Sequence, residues 1–468
     1  MLIIGLILSA LLGLAILLNI SQQLSRIELL GLSFPTGIGT QTILMVGLDF
    51  VGIRLTAMTV VSVSVLLLAG LCVGLYLRRK TLREWMASLF VIKSPKITWL
   101  WVALMLALTV VCVMNLAKTL YFPTFDKDSI VGFNLTGIAV AHEGTIKGLS
   151  LYNDVNYAPH DLDLYKTYTP LSQLGYAYVY MLGAETSKSF NALIFLSFVF
   201  AFYGVTRRFA THTLTALTTF MMIITPEMLA FSSMSGTNFT HAVYASLGLL
   251  FFVARYYEKK SSLLWISAIL LMLNVWTRNE GLAFIGAACC LLCRHSLRTK
   301  QYKTLFLFAF LCLSPFIFWN IFLKINHMEI KQLIIFKPYW DAAKAGILWS
   351  EMWTLFKSLM FYGVSFIVFP LVMLSNLPHI IRQKDHLVTL LLILLAWIFY
   401  TVLVYQIDYV WDSLENVMRY SYKRFLFSFM PLLWFYVAAG KNIRIAFEWI
   451  DDFVFLSRQR RGQNRNIS

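Results

Sequence analysis

Three short stretches of this 468-residue chain hold residues able to do chemistry, spaced closely enough to act together. YFPTFDKDSIVGF sets Asp126 and Asp128 two residues apart. A carboxylate in a solvent-reached loop can take a proton from an arriving hydroxyl as a general base. The same acids can also serve as plain helix caps. VWTRNEGLAFIGA places Arg278 and Glu280 between two apolar runs. Ionisable residues at membrane depth are costly and mark functional sites. The competing reading is an ion pair that pins two helices, or side chains that snorkel to the headgroups. VMRYSYKRFLFSFMP carries Arg419, Lys423 and Arg424. A guanidinium donates two parallel hydrogen bonds and suits a phosphate; unspecific contact with lipid headgroups is the alternative.

The elements that must position these residues are apolar. The chain is 59% hydrophobic and 13% charged, with a mean hydropathy of +0.71. A soluble domain is about half apolar and about a quarter charged. Runs near 2–19, 36–52, 57–77, 99–117, 190–206, 213–230, 239–256, 262–276, 281–293, 304–323, 354–376, 386–404 and 424–440 approach bilayer-spanning length. They predict an all-α polytopic membrane protein with about 13 transmembrane helices. Segment 171–184 is short and reads as re-entrant or interfacial. Residues 1–468 form one membrane domain: N-terminal helices and a basic linker over 1–97, a core over 98–440, and a basic tail over 441–468. The apolar start reads as a retained first helix rather than a cleaved signal.

The net charge of +16 resides largely in short linkers. Arg78 to Lys96, Arg207–Arg208, Arg255 to Lys260, Arg294 to Lys303, Arg382–Lys384 and the tail from Lys441 all fall on one side if 171–184 does not cross. The positive-inside rule makes that side cytoplasmic. Loops 118–189, 231–238, 277–280, 324–353 and 405–423 then face outward from the inner (plasma) membrane, and the chemistry is expected there. Residues 441–455 alternate basic and apolar positions, as in an interfacial helix. No basic face with interleaved aromatics stands outside the spans, which argues against nucleic acid. The six cysteines fall within spans and read as small apolar residues.

The first long outer loop also holds Glu143, His160, Asp161, Asp163 and the Tyr-rich end that contains Tyr168. His160 with its two acidic neighbours has metal-ligand chemistry, but a mixed His and Asp loop more simply reads as hydrated. Lys324, Lys331, Lys337 and Lys344 add positive charge to a later outer loop. Acids that accept a proton, cations that hold a phosphate and steady the charge developing on it, and a greasy surround for a lipid chain describe group transfer from a polyprenyl phosphate.

On these motifs the chain resembles the GT-C superfamily of membrane glycosyltransferases, in the branch of the bacterial family 39 and family 83 enzymes. FDKDS in the first outer loop, YTPL closing it, the TRNEG turn and RFLFSFMP near the last span carry the resemblance, which covers about residues 99 to 440. It implies a helical fold with outer-face loops and short interfacial helices. It further implies a polyprenyl-phosphate sugar donor, and a lipid, glycan or protein acceptor. By position it makes Asp128, then Asp126, the catalytic base. It assigns Arg424, Arg419, Arg278 and Lys423 to the donor phosphate, and Glu280, Tyr168, His160 and Glu143 to the cavity wall. Asn238 and Thr169 depart from it, standing where relatives often carry an aspartate and a proline. The asparagine weakens a divalent-metal mechanism, since hard cations favour carboxylates, and no cofactor is required. The alternatives are a flippase or transporter of a lipid-linked substrate, and a ligase that uses a diphosphate-linked glycan.

Overall fold

The computed structural model describes residues 1–80, 83, 87, 98–153, 166, 168–328, 334–336, 339–409 and 412–465. Helices dominate. The chain opens with α1 (Leu2–Ile20), α2 (Arg26–Phe50), α3 (Ala57–Leu77) and α4 (Trp99–Tyr121). Next come α5 (Asn134–Glu143), α6 (Leu171–Met181), α7 (Lys188–Thr206), α8 (His212–Ile223) and α9 (Pro226–Phe231). Then follow α10 (Asn238–Glu258), α11 (Ser261–Thr277), α12 (Gly281–Thr299), α13 (Tyr302–Ile325) and α14 (Ala342–Phe356). The last are α15 (Ser365–Gln383), α16 (Leu387–Gln406), α17 (Met430–Ala439) and α18 (Lys441–Arg465).

Among the described residues nine helices are long and apolar enough to cross a membrane, or ten if the bent stretch 414–453 counts as one span. The protein is thus helical and membrane-embedded. In hydrocarbon a helix satisfies its own backbone groups, which is why this class of sequence resolves into helices.

Several expected spans differ in extent. The run 213–230 divides into α8 and α9, because Pro226 at the start of α9 lacks the N–H that would continue the preceding helix. The run 36–52 belongs to a longer helix that begins at Arg26. Ser25 and Glu28 form a reciprocal capping box there, and Pro35 is carried inside the helix. The run 354–376 is displaced to α15, after a break around Gly363, whose φ of 54° is left-handed. The run 424–440 is a helical turn, a tighter 3₁₀ turn and then α17. Segment 171–184 becomes the buried eleven-residue helix α6.

The bundle packs tightly where small residues allow. A Cβ on Gly13 would lie 1.8 Å from the Ser33 carbonyl oxygen, and one on Gly37 would lie 1.7 Å from that of Ser9. The backbones of α1 and α2 therefore touch directly, as small residues permit between membrane helices. A short ribbon, β1 (Ile334–Phe336) paired antiparallel with β2 (Ile407–Tyr409), ties the segment before α14 to the one after α16.

Two polar ends are separated by α10. The helix starts at Asn238 and finishes at Glu258, about 30 Å further on at 1.5 Å per residue. At the far end Arg208 pairs with Glu28 at 2.5 Å and with Glu258 at 2.9 Å. At the near end the residues of interest gather.

Candidate functional site

Asp128 opens a wide π-helical turn, Asp128–Phe133, in which the Asn134 N–H bonds five residues back to the Ser129 carbonyl. Turns of this kind are rare and recur at functional sites. The two acids of FDKDS point to different work. Asp126 accepts from the backbone N–H and the hydroxyl of Ser129, both at 3.1 Å, and so caps the turn. Asp128 instead accepts from Nη1 of Arg424 at 2.6 Å.

Arg424 is carried by a second π-helical turn, Met418–Tyr422, and the helical turn after it. Its guanidinium lies 5.6 Å over the Phe231 ring, and Phe231 stacks on Phe427 at 5.4 Å. Lys423 reaches Glu227 at 2.9 Å and sits 4.3 Å over the Phe361 ring. Glu227 is the one charged residue in the apolar run 213–230 and lies in the first turn of α9. A lone acid inside an apolar run is the one signal of this contact visible in the sequence.

The TRNEG turn stands beside them. Arg278 leaves α11 in extended conformation and pairs with Glu280 through two bonds, of 2.6 and 3.2 Å. Its remaining terminal nitrogen donates to the Thr237 hydroxyl at 3.3 Å and to the Asn238 side-chain oxygen. Gly281 closes the turn, since a Cβ there would come within 2.8 Å of the Val275 backbone. Burial alone would raise the Glu280 carboxyl, but the Arg278 guanidinium overrides it and holds the acid at about 2. Burial likewise opposes the charge on Arg278, and Glu280 more than restores it, so its pKa rises.

Tyr168 joins the two pairs. Arg278 lies 5.1 Å over its ring, and Phe133 meets it edge-on at 5.3 Å. Burial raises the Tyr168 phenol, and the charges of Arg278, Glu280, Asp128 and Arg424 all reach it. The next residue, Thr169, donates to the Val275 carbonyl at 2.6 Å and straps the YTPL segment to the approach of the TRNEG turn. At this departure from the resemblance the hydroxyl does what a proline has no group to do. Asn238, the other departure, accepts from Arg278 without adding a second anion to a cation that Glu280 already balances.

Asp128, Arg424, Lys423, Arg278, Glu280 and Tyr168 thus come together, joined by the unanticipated Glu227, Thr237 and Phe231. Three cations face three carboxylates. Arg419 turns away to Glu351 on α14, at 2.8 and 3.1 Å, and is exposed. Glu143 sits at the other end of α5, about 15 Å along ten residues. There it accepts from Ser150 and lines a separate recess of about 240 Å³ with Asp49, Arg54 and Lys147. His160, Asp161, Asp163, Lys331 and Lys337 lie outside the described residues. Among the described residues no group of three or more His, Cys, Asp or Glu side chains has metal-binding geometry, and all six cysteines are free thiols.

An apolar cavity of about 400 Å³ adjoins the cationic turns. Trp353 and Phe356 of α14, Phe369 of α15 and Trp397 of α16 line it, together with Leu426 and Phe429, two and five positions after Arg424. Trp397 donates to the Tyr422 hydroxyl at 2.8 Å, which fixes the cavity wall to the turn that presents Lys423 and Arg424.

The fold and this cluster define a helical membrane protein with a charge-balanced site at one end of its bundle. Comparison with protein-family models, curated proteins and solved structures finds no match to the chain.

Proposed function

We propose that this protein is a GT-C-like membrane glycosyltransferase that moves a sugar from a polyprenyl phosphate to a hydroxyl acceptor on the extracytoplasmic face. The observation that carries the reading is the 2.6 Å contact between Asp128 and Arg424. It sets a candidate base against a candidate phosphate ligand, beside an apolar cavity walled by the same helix.

In this reading Arg424 and Lys423 hold the donor phosphate, and the isoprenoid chain occupies the cavity between α14, α15 and α16. Asp128 removes the acceptor proton. The acceptor oxygen attacks the anomeric carbon from the face opposite the phosphate, and the configuration inverts. The bond from that carbon to the phosphate oxygen breaks, and its electron pair stays on the phosphate. Fixed cations beside the developing charge lower the barrier, because they need no reorganisation when it forms. The Arg278–Glu280 pair and Tyr168 form the wall that keeps these groups in register, and Asp126 shapes the turn that presents Asp128.

The test is transfer of radiolabel from polyprenyl-phosphate sugars by the purified chain in proteoliposomes. Asp128→Ala is expected to lower the rate by about 10²-fold or more, the usual worth of a positioned base. Undiminished transfer in an Asp126→Ala/Asp128→Ala double variant rejects the assignment. Movement of the lipid-linked substrate without a covalent product identifies a flippase instead. Activity only with a diphosphate-linked donor identifies a ligase.

A further inference from the structure

The two arginines of the site use their donors differently. Arg278 commits three nitrogens, two to Glu280 and one to Thr237 and Asn238. A guanidinium has five N–H donors, and Arg424 gives a single nitrogen, Nη1, to a single oxygen of Asp128. Arg424 and Asp128 are also the more exposed pair, at 27% and 37%, against 16% and 23% for Arg278 and Glu280. Among the described residues Asp128 is the one carboxylate paired with Arg424. A cation held by one bond at an open edge is free to change partner.

We infer that Asp128 and the leaving phosphate share Arg424 in turn, so that protonation of the base releases the cation to the leaving group. This rests on the transfer reaction proposed above. Before transfer the negative charge is divided between the Asp128 carboxylate and the donor phosphodiester, about one unit each. Asp128 then takes the acceptor proton and becomes neutral. The bond between the anomeric carbon and the phosphate oxygen breaks, and the released phosphomonoester carries about two negative charges at neutral pH. Total charge is unchanged, and one unit has moved from Asp128 to the phosphate. Arg424, placed between the two, follows that unit. Base catalysis and leaving-group stabilisation are thereby coupled through one side chain. Loss of the acceptor proton to water restores the Asp128 carboxylate, which competes with the spent carrier for Arg424 and promotes product release.

The inference predicts that neutralising Asp128 tightens the grip on the product. Binding of decaprenyl phosphate, which bears no sugar, is measured on the full-length protein in nanodiscs, and transfer is assayed in the same preparation. Asp128→Asn mimics the protonated acid and removes the competing charge, and it is expected to bind about tenfold tighter than wild type, a difference of about 1.4 kcal/mol. Asp128→Ser removes the charge without the amide and is expected to shift affinity in the same direction, which guards against a local folding defect. In an Arg424→Ala background the tightening disappears. Equal affinity in wild type and both Asp128 variants overturns the handover while transfer by the wild type leaves the reaction standing. Tightening that persists without Arg424 also overturns it. A wild-type protein that neither binds decaprenyl phosphate nor transfers sugar rejects the underlying reaction, and the handover with it.

Discussion

Arg278 and Glu280 are two residues apart, joined by two bonds and closed in by Thr237, Asn238 and Tyr168. Arg424 and Asp128 are 296 residues apart, joined by one bond, and more exposed. Arg278 lies over the Tyr168 ring, and the charges of both pairs act on its phenol. The difference is between a pair locked into its own turn and a pair held loosely across the fold, which under the proposed reaction is the contact that works. A pair whose three guanidinium nitrogens are all engaged in a tight turn costs much to break and has little to offer a ligand. A long-range pair held by one bond adds little to stability but can be exchanged.

The comparison breaks most visibly at the strut. Arg278→Ala strands the Glu280 carboxylate, and loss of one partner from a fully buried pair costs about 3–5 kcal/mol, an upper bound for a pair that keeps 16% and 23% exposure. The expected result is a lower unfolding midpoint in detergent, with or without a lipid phosphate. A midpoint equal to wild type would remove the distinction between the pairs. At the working contact the sign reverses. Arg424→Ala is expected to lower transfer by about 10²–10³-fold, the scale for one electrostatic donor. Its folding cost stays near the 0–1 kcal/mol of a partly exposed pair. Loss of folding in place of loss of rate would make Arg424 a second strut.

Acid sharpens the contrast. Glu280 is held at about 2, below an unfolded value of about 4.3. A depressed carboxyl contributes stability that is fully present above the unfolded value and is lost as pH falls from about 4 through 2. Unfolding midpoints of wild type are expected to drop across that window more steeply than those of Glu280→Gln. Parallel pH curves for the two proteins would refute the assignment. The smallest effect belongs to Asp126→Asn, which weakens the cap on the turn that carries Asp128. Caps are worth about 1 kcal/mol, so a modest rise in amide exchange at Ser129 is expected, with transfer affected far less than in Asp128→Ala.

Much of this site was legible in the sequence, but unevenly. The TRNEG pair stood out because its partners are local and its closing glycine is visible beside them. Asp128, Lys423 and Arg424 were visible as separate candidates, while the order of Asp128 before Asp126 came only from the family resemblance. The structure gives the two acids different partners, since Asp126 spends its carboxylate on Ser129 and Asp128 meets Arg424. Glu227 went unread because it lies inside an apolar run, and a single acid there has no visible partner until Lys423 is brought to it. Arg419 and Arg424 share one stretch, yet they face different carboxylates, Arg419 from within the π-helical turn and Arg424 from the helical turn after it. Periodicity does not announce such a turn. Glu143 was grouped with the site by its loop, and the length of α5 carries it to another recess.

By itself the sequence determined that the chain is helical and belongs in a membrane. Long apolar runs bury their backbone groups in lipid only as helices, a property of composition and length alone. It also determined the sign and type of the charges left between the runs. Only the tertiary structure decided which acid meets which cation, and which of those meetings is firm. Those contacts depend on how helices distant in sequence pack and on where their ends fall. A shift of one helical turn, about 5.4 Å, would have separated Asp128 from Arg424 and left the Arg278–Glu280 pair intact.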